Sequence, residues 1–396
     1  MSLSKEWLEV LKTWVDQNSG SRNILGLKKM ADVLEKAFLE LKPHQHARRQ
    51  LPGFKHLNLQ GQIENHVLGE LLSFSKRPKA PIQLMCVGHY DTVFPQDSKF
   101  QKFKVNPKKT ECYGPGVADM KGGLLLLLES LKYLESNPAL NHLIGWTVWL
   151  NPDEEIGSPG SKYYLEKYSN PQHIALVFEP AVNLKGDVSA GRYGSGKWQF
   201  LVQGQSAHVG RNFKEGKHAI AAASELTLAL HDLNTQNSNI ILNVGLIQGG
   251  RVVNAVPDYT VLMLDVRFKE QEEITWLEQQ FADIKKNVME RSGCKIELQG
   301  HWNRPVKAFD KKQQIWFKWQ QSLARDLGQN LEYQTNGGGA DSNNLAHQGM
   351  VVLDSLGVSG GRLHSDQEFM RIESMAERYA LITKIFDNLP GFLYHV

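Results

Sequence analysis

The chain has 396 residues, a net charge of +3 and an apolar fraction of 41%, which is typical of a globular protein of about two domains. Charge is nearly balanced and no basic run or aromatic–basic stripe occurs, so nucleic acid is not expected as a partner. The longest apolar run, residues 124–128, is too short for a bilayer span, so no membrane partner is expected.

The N-terminal segment indicates a helix rather than a secretion signal. Trp7, Leu11 and Val15 follow helical spacing, and no apolar core with a cleavage site accompanies them. The three cysteines are far apart in the sequence and odd in number, so they favour neither disulfides nor a thiolate metal site. These features predict a protein of the reducing cytoplasm.

The first forty residues predict two helices separated by a polar loop at 18–22. Apolar segments that begin at Ile82, Ile144 and Ile174 predict three strands buried on both faces, and each is followed by His, Asp or Glu residues. Helical segments between them predict crossover connections and therefore a parallel sheet. Because ligands collect at the carboxyl ends of such strands, we expect a metal or catalytic centre there.

The pattern changes after about Arg192. Alternating strands and amphipathic helices predict an α+β block at residues 192–303, and the earlier α/β pattern resumes from Arg304. We therefore predict an α/β catalytic domain, with a mostly parallel sheet flanked by helices, in two parts at 1–191 and 304–396. The α+β block would be a second domain inserted between these parts.

His89 and Asp91 stand two residues apart at the end of the first predicted strand. In a strand these positions share a face, so Asp91 can accept a hydrogen bond from one ring nitrogen of His89 and leave the other for a metal. An exposed His–Asp pair in a loop is the more ordinary interpretation of these two residues alone.

Asp119 lies between glycines in GVADMKGG, where its carboxylate can bridge two cations or simply cap the following helix. Glu154 and Glu155 follow the second strand, in NPDEEIGS; if the backbone turns there, one can bind a metal while the other acts as a general base. Glu179 ends the third strand, and His364 lies far downstream in GRLHSDQE. Each of these residues alone is also typical of a solvated loop.

Together, these residues form a set of nitrogen and oxygen donors without thiolate. Such a set suits zinc, and with lower affinity cobalt or manganese. Because most of them follow successive strands, they are expected to meet at one edge of the sheet.

Six motifs occur in order along the chain: GHYDTVFP, GPGVADMKGG, NPDEEIGS, FEP, GQSAHVG and GRLHSDQE. In these motifs and their spacing the sequence resembles the M20 metallopeptidase family, and within it the glutamate carboxypeptidase members. The resemblance spans nearly the whole chain, and six motifs in one order are highly specific. It implies a catalytic domain of the zinc-exopeptidase type with an inserted lid domain.

The resemblance also implies roles for the acidic and histidine residues. The implied ligands are His89, Asp119 and Glu179 for one zinc ion, and Asp119, Glu155 and His364 for the other. Asp119 would thus bridge two ions, Glu154 would be the general base and acid, and Asp91 would orient His89. In similar enzymes the peptide bond between Asp119 and Met120 is cis.

For the inserted domain, the resemblance implies a dimer contact and contacts to substrate. His208, in GQSAHVG, would approach the scissile carbonyl, often from the partner subunit, and stabilise the oxyanion. Asn254 and Arg267 would bind the carboxylate of the substrate, for which a planar guanidinium is suited, and Arg304 is a weaker candidate for this role. Gly338, in GGGAD, would line the pocket. Without the resemblance, an exposed histidine, an outward-facing arginine and a plain turn are the ordinary interpretations.

We therefore expect a dinuclear zinc hydrolase, a homodimer through the inserted domain, that cleaves an amide bond beside an amino acid with a free carboxylate. Its substrate would be a small peptide or an N-acyl amino acid. An N-acyl amino acid deacylase or a dipeptidase is the alternative with the same chemistry. A metal-binding protein without catalysis predicts a missing base or ligand, and a two-metal phosphatase predicts a basic cluster; the sequence shows neither feature.

Overall fold

The computed structural model describes residues 5–58 and 60–395. Up to residue 177 the helices and strands are α1 (Lys5–Asp16), α2 (Ile24–Leu39), β1 (Gln45–Gln50), β2 (Phe54–Leu57), β3 (Ile63–His66), β4 (Glu70–Lys76), β5 (Ile82–His89), β6 (Lys104–Val105), β7 (Glu111–Tyr113), α3 (Gly122–Ser136), α4 (Pro138–Asn141), β8 (Ile144–Asn151), α5 (Ser161–Tyr168) and β9 (Ile174–Val177).

The elements between residues 188 and 304 are β10 (Val188–Arg192), β11 (Gly194–Gln203), α6 (Val209–Asn212), α7 (Ala219–Gln236), β12 (Ile240–Gly249), β13 (Tyr259–Phe268), α8 (Glu273–Ser292) and β14 (Lys295–Arg304). The remaining elements are α9 (Lys311–Asp326), β15 (Tyr333–Asn336), α10 (Asp341–His347), β16 (Val351–Leu353), β17 (Gly360–Gly361), β18 (Phe369–Arg371) and α11 (Ile372–His395).

The largest sheet, called the central sheet below, has six strands in the order β1-β4-β8-β5-β9-β16. Strands β8, β5, β9 and β16 run parallel, whereas β1 and β4 pair antiparallel at one edge. The three apolar segments of the sequence form β5, β8 and β9, which are neighbours in this sheet. The prediction of an α/β fold with a mostly parallel sheet is therefore confirmed.

Strand β5 shows why these segments are apolar without interruption. Leu84 and Cys86 pack into a core with helices α1, α2, α3, α9 and α11 on one face of the central sheet. Met85 and Val87 pack into a second core with α5 and α10 on the opposite face. Because both faces are buried, successive residues of the strand must all be apolar.

An antiparallel sheet, called the inserted sheet below, has the strand order β12-β13-β11-β14. Helices α7 and α8 cover one of its faces. On its other face, Leu201 and Val261 pack against Gly61, at the turn of the hairpin formed by β2 and β3. The strands of this sheet lie within residues 194–304, and the domain boundaries at 191/192 and 303/304 stay predictions.

A third sheet consists of short strands in the order β17-β18-β7-β6. The sequence analysis did not predict it, because strands of two or three residues show no periodicity. Pairing of β7 with β18 places the segment before Asp119 beside the segment after His364. In the described ranges, no helix is both long and apolar enough to cross a membrane.

Candidate metal centre

The candidate centre lies at the carboxyl edge of the central sheet. Strands β5, β8 and β9 are parallel neighbours, so their carboxyl ends meet at this edge. His89 is the last residue of β5, Glu154 and Glu155 follow β8, and Glu179 follows β9. The strand pairing therefore places near one another residues that are up to ninety positions apart in the sequence.

Two histidines flank the carboxylate of Asp119. Nε2 of His89 lies 3.1 Å from Oδ1 of Asp119 and 3.8 Å from Oε1 of Glu179. Nε2 of His364 lies 3.4 Å from Oδ2 of Asp119 and 3.2 Å from Oε2 of Glu155. His89, Asp119, Glu155, Glu179 and His364, called the five ligand candidates below, thus form two groups that share Asp119.

A tight turn at residues 117–121 presents the carboxylate of Asp119. Gly116 enters this turn with φ of +72°, a conformation that favours glycine, and the peptide bond between Asp119 and Met120 is cis. The buried carboxylate of Glu368 accepts hydrogen bonds from the backbone N–H groups of Gly116, Ala118 and Asp119, at 3.1, 2.9 and 3.0 Å. Glu368 therefore fixes the turn that presents Asp119.

Glu154 and Glu155 lie in a single helical turn that ends at Gly157, whose φ is +95°. The change of direction that lets both carboxylates serve one site is thus present. Asp91 stabilises this turn, because its Oδ1 accepts from the N–H of Glu154 at 3.1 Å and its Oδ2 from the N–H of Glu155 at 3.2 Å. Ser21 donates to the same Oδ2 at 2.7 Å.

Asp91 also lies beside His89, as predicted, but its main chain is nearer than its side chain. Nδ1 of His89 is 3.0 Å from the carbonyl oxygen of Asp91 and 3.4 Å from Oδ1. Both oxygens can fix the ring orientation of His89 and leave Nε2 for a metal. The structure adds a second role for Asp91: it supports the turn that carries Glu154 and Glu155.

Arg304, the last residue of β14, is buried and binds three side chains. It donates to Oε1 of Glu154 at 2.9 Å, to Oδ1 of Asp341 at 2.6 Å and to Oγ of Ser158 at 2.7 Å. Its guanidinium is therefore occupied within the protein, which argues against its weaker predicted role in binding the substrate. Instead it orients the carboxylate of Glu154.

The charges at this edge strongly influence one another. Burial and the nearby Asp119 raise the pKa of Glu155 to about 8 and that of Glu179 well above its usual value. Burial also raises the pKa of Glu154, although Arg304 and His89 act against the shift. Hydrogen bonds to Asp119 and Glu155 raise the pKa of His364 to about 11. Such crowding of buried carboxylates favours a cation among them.

The geometry fits a metal ion. Ligand atoms about 2.1 Å from a tetrahedral zinc ion stand about 3.4 Å from one another, and the nitrogen–oxygen distances here are 3.1–3.8 Å. In each of two sets of donor atoms, the atoms lie within 4.8 Å of one another; one set comes from His89, Asp119 and Glu155, and the other from His89, Glu154 and Glu179. Imidazole nitrogens with carboxylate oxygens suit zinc, cobalt or manganese.

His208 and Asn254 lie together on the inserted sheet, away from this edge. His208 pairs with Ala255 in an isolated bridge, and its Nδ1 accepts from the N–H of Gly210 at 3.1 Å. Both side chains are exposed. Within the described part of this one chain, neither forms a hydrogen bond or ion pair with any of the five ligand candidates.

Arg267 and Gly338 lie close to each other. Arg267 binds Asp265 through Nε and Nη2, at 2.7 and 3.1 Å, and donates from Nη1 to the carbonyl of Gly337 at 3.3 Å. The carbonyl of Gly338 accepts from Nη1 of Arg192 at 3.2 Å. The glycine-rich segment is thus held between two arginines, one from each side.

A buried ion cluster behind Gly338 was not found by sequence reasoning. Arg192 binds Asp354 at 2.7 Å through Nε, and Nζ of Lys307 binds the same carboxylate at 2.9 Å. Glu368 was also missed, although it ends the GRLHSDQE motif. The only sequence signal for it was an acid in a motif that already contained a ligand candidate.

Comparison with known proteins identifies the family. Residues 85–388 match the profile of peptidase family M20/M25/M40. Carboxypeptidase G2 from Pseudomonas sp. (strain RS-16) is 28% identical over 338 residues, which cover 82% of this chain and 78% of that protein. A succinyl-diaminopimelate desuccinylase from Helicobacter pylori (strain Shi470) is 24% identical over 326 residues, covering 80% and 82%.

The fold is also shared with solved structures. A tripeptidase from Staphylococcus aureus superposes with a TM-score of 0.77 at 20% identity, over 97% of this chain and 98% of that one. The resemblance seen in the six motifs is thereby confirmed. The chain belongs to peptidase family M20/M25/M40 and is a metal-dependent hydrolase similar to the carboxypeptidase G-like members.

Proposed function

We propose that this protein holds two zinc ions and cleaves an amide bond beside an amino acid with a free carboxylate. The observation that carries the proposal is the position of Asp119. Its Oδ1 lies 3.1 Å from Nε2 of His89 and its Oδ2 lies 3.4 Å from Nε2 of His364. Each oxygen faces a different imidazole, as a carboxylate that bridges two ions requires. Cobalt and manganese fit the same donors less well.

Glu154 is the proposed general base and acid. Two bound cations would polarise the amide carbonyl and lower the pKa of a water molecule. The carboxylate of Glu154 stands in the same cluster and has a raised pKa, so it suits taking a proton from the attacking water and returning it to the leaving nitrogen. Arg304 and the turn supported by Asp91 hold this carboxylate in place.

Arg267 is the proposed anchor for the free carboxylate of the substrate. It lies beside the segment with Gly338, and within the described ranges its Nη1 is bound only to the carbonyl of Gly337, in a long hydrogen bond of 3.3 Å. Asp265 orients the guanidinium through its other nitrogens. A carboxylate approaching Nη1 would therefore meet a donor already held in position.

The proposed active form is a homodimer through the inserted sheet. Strand β12 is an edge of that sheet, and its Ile241 and Ile247 are 51% and 52% exposed, while Val252 and Val253 beyond it are 60% and 103% exposed. An apolar edge strand is suited to pairing with a second copy. His208 and Asn254 would then be presented to the centre of the partner.

A deacylase or dipeptidase is the alternative, and the similarity to a desuccinylase favours it. We also propose the cytoplasm as the compartment, because all three cysteines are buried and unpaired. An assay of zinc-loaded protein separates the carboxypeptidase, deacylase and dipeptidase functions. The substrates are dipeptides, N-acyl amino acids, and the same compounds with the carboxylate converted to an amide.

A free carboxylate is expected to raise kcat/KM about a hundredfold over the amide. Equal rates on the two forms contradict the carboxylate anchor. Hydrolysis of none of these compounds by a zinc-loaded dimer supports a metal-binding protein without catalysis.

A further inference from the structure

A cavity of about 690 Å³ lies between the inserted sheet and the catalytic domain. The hairpin of β2 and β3 forms one wall with Phe54 and Ile63, and Ile156, from the turn after Glu155, forms another. Met263, on the face of the inserted sheet that α7 and α8 leave open, forms the floor. This volume is typical of a site for a small organic ligand.

The cavity adjoins the groups that carry the proposed chemistry. Ser21 lines it and donates a hydrogen bond to Asp91, which supports the turn with Glu154. Asn303 also lines it and directly precedes Arg304, which binds Glu154. A substrate whose amide is at Glu154 can therefore extend into this cavity.

One basic side chain in the cavity has no partner of its own in the described part of the chain. Lys197 lines the cavity and is exposed, and its ammonium group forms neither a hydrogen bond nor an ion pair with the described residues. Its cross-strand neighbour Asp265 is bound to Arg267 through both carboxylate oxygens. An anionic group of a ligand can therefore bind the ammonium group of Lys197.

The charge of the cavity selects an anion. Arg22, Lys55 and Lys197 line it, and Asp265 is the acid among the lining residues. Lys197 is exposed to the cavity, and the carboxylate of its cross-strand neighbour Asp265 is engaged by Arg267, so Lys197 has no counterion of its own among the described residues. A carboxylate would supply that counterion.

We propose that the cavity receives the acyl part of the substrate, and that this part is an extended apolar chain ending in a carboxylate bound by Lys197. The proposal rests on the proposed amide hydrolase activity and specifies its substrate class. The apolar walls bind the chain, and Lys197 binds its end. The preferred substrate then carries a carboxylate on both sides of the amide.

The test uses zinc-loaded protein and the acetyl, octanoyl and suberoyl conjugates of one amino acid. Wild type is expected to prefer suberoyl to octanoyl and octanoyl to acetyl. In Lys197→Met, the ratio of kcat/KM for suberoyl to octanoyl should fall at least about tenfold. In Met263→Trp, which fills the cavity, the ratio for octanoyl to acetyl should fall by a similar factor.

Lys286→Met is the matched control, because Lys286 is exposed on α8, on the other face of the inserted sheet. It should keep both wild-type ratios. The proposal is overturned if Lys197→Met lowers the rates of all three conjugates by one common factor, or if Met263→Trp leaves the octanoyl-to-acetyl ratio unchanged.

Calorimetry separates this proposal from the proposed function. If wild type hydrolyses none of the conjugates, the hydrolase activity is wrong, and the cavity is then tested by binding alone. Tighter binding of suberate than of octanoate to wild type, with the difference lost in Lys197→Met, supports the cavity site. Equal binding of suberate and octanoate to wild type overturns it.

Discussion

The carboxyl edge of the central sheet and the exposed loops of the inserted sheet both carry residues predicted to act on the substrate, but they differ in how complete they are. At the edge, the ring nitrogens of His89 and His364 already lie 3.1 and 3.4 Å from the two carboxylate oxygens of Asp119. On the inserted sheet, His208 and Asn254 are exposed, and among the described residues their hydrogen bonds join only the loops that carry them. The first region is assembled by one chain, whereas the second is proposed to complete the site of a partner subunit.

This difference follows from how the two regions are built. Parallel strands with both faces buried fix the positions of the residues at their ends. An edge strand with exposed apolar residues is instead complementary to another copy of itself. The comparison therefore predicts chemistry that depends on one chain at the first region and on two chains at the second.

The largest effect is expected at the carboxyl edge. Glu154→Gln should lower kcat by about 10³-fold, because the amide cannot take a proton from water, while zinc content stays at the wild-type level. Glu166→Gln, an acid on α5, is the control. Wild-type kcat in zinc-loaded Glu154→Gln would show that another group is the base.

The second prediction addresses the inserted sheet. His208→Ala should lower kcat by about 10²-fold through loss of an oxyanion donor, with zinc affinity unchanged. Mixing inactive His208→Ala with inactive Glu154→Gln should restore about a quarter of wild-type activity, because half of the dimers are mixed and each has one intact site. No recovery after subunit exchange would place His208 in its own chain's site.

The third prediction concerns the support of Asp119. Glu368→Gln replaces one acceptor oxygen with an N–H₂ group that opposes the backbone N–H groups of the turn. Zinc affinity should fall about 10- to 100-fold, as for other residues that orient metal ligands, and calorimetric titration with zinc measures it. Unchanged affinity would show that the turn keeps its shape without this carboxylate.

The last prediction concerns stability at the same edge. Burial raises the pKa of Asp153 to about 7, against its hydrogen bonds with Ser161 and Gly160. A carboxyl group with a raised pKa in the folded state contributes stability at low pH, and this contribution is lost as pH rises through the folded-state pKa. Stability should thus decline between about pH 4 and pH 7, by up to about 1.4 kcal/mol per pH unit.

Asp153→Asn should flatten this decline. Urea unfolding of the two proteins at several pH values in this window measures the difference. Parallel stability profiles for wild type and Asp153→Asn would show that Asp153 keeps an ordinary pKa in the folded protein.

The edge of the central sheet could be predicted because its signals are local in the sequence. Long apolar runs predict buried strands, and acids or histidines directly after them predict a shared edge. The partners of those residues could not be predicted in this way. Arg304 is a weaker candidate for binding the substrate on sequence alone, because an arginine suits a carboxylate. Its position in the sequence does not reveal that Glu154 and Asp341 already bind it.

The cavity beside Lys197 could not be predicted for a similar reason. It depends on the contact between the hairpin of β2 and β3 and the inserted sheet. The sequence pattern of neither segment predicts that the two are in contact. The sheet of β17, β18, β7 and β6 was missed because its strands are too short for periodicity.

The contact of Arg304 with Glu154 has a consequence for engineering. Exchanging the segment that forms the inserted sheet between members of this family is an obvious route to new specificity, and residue 304 lies at the end of the last strand of this sheet. A graft that replaces the whole of β14 would also replace the cation that holds the base. Chimeras should therefore be joined before Arg304, so that the recipient keeps its own arginine with its own Glu154 and Asp341.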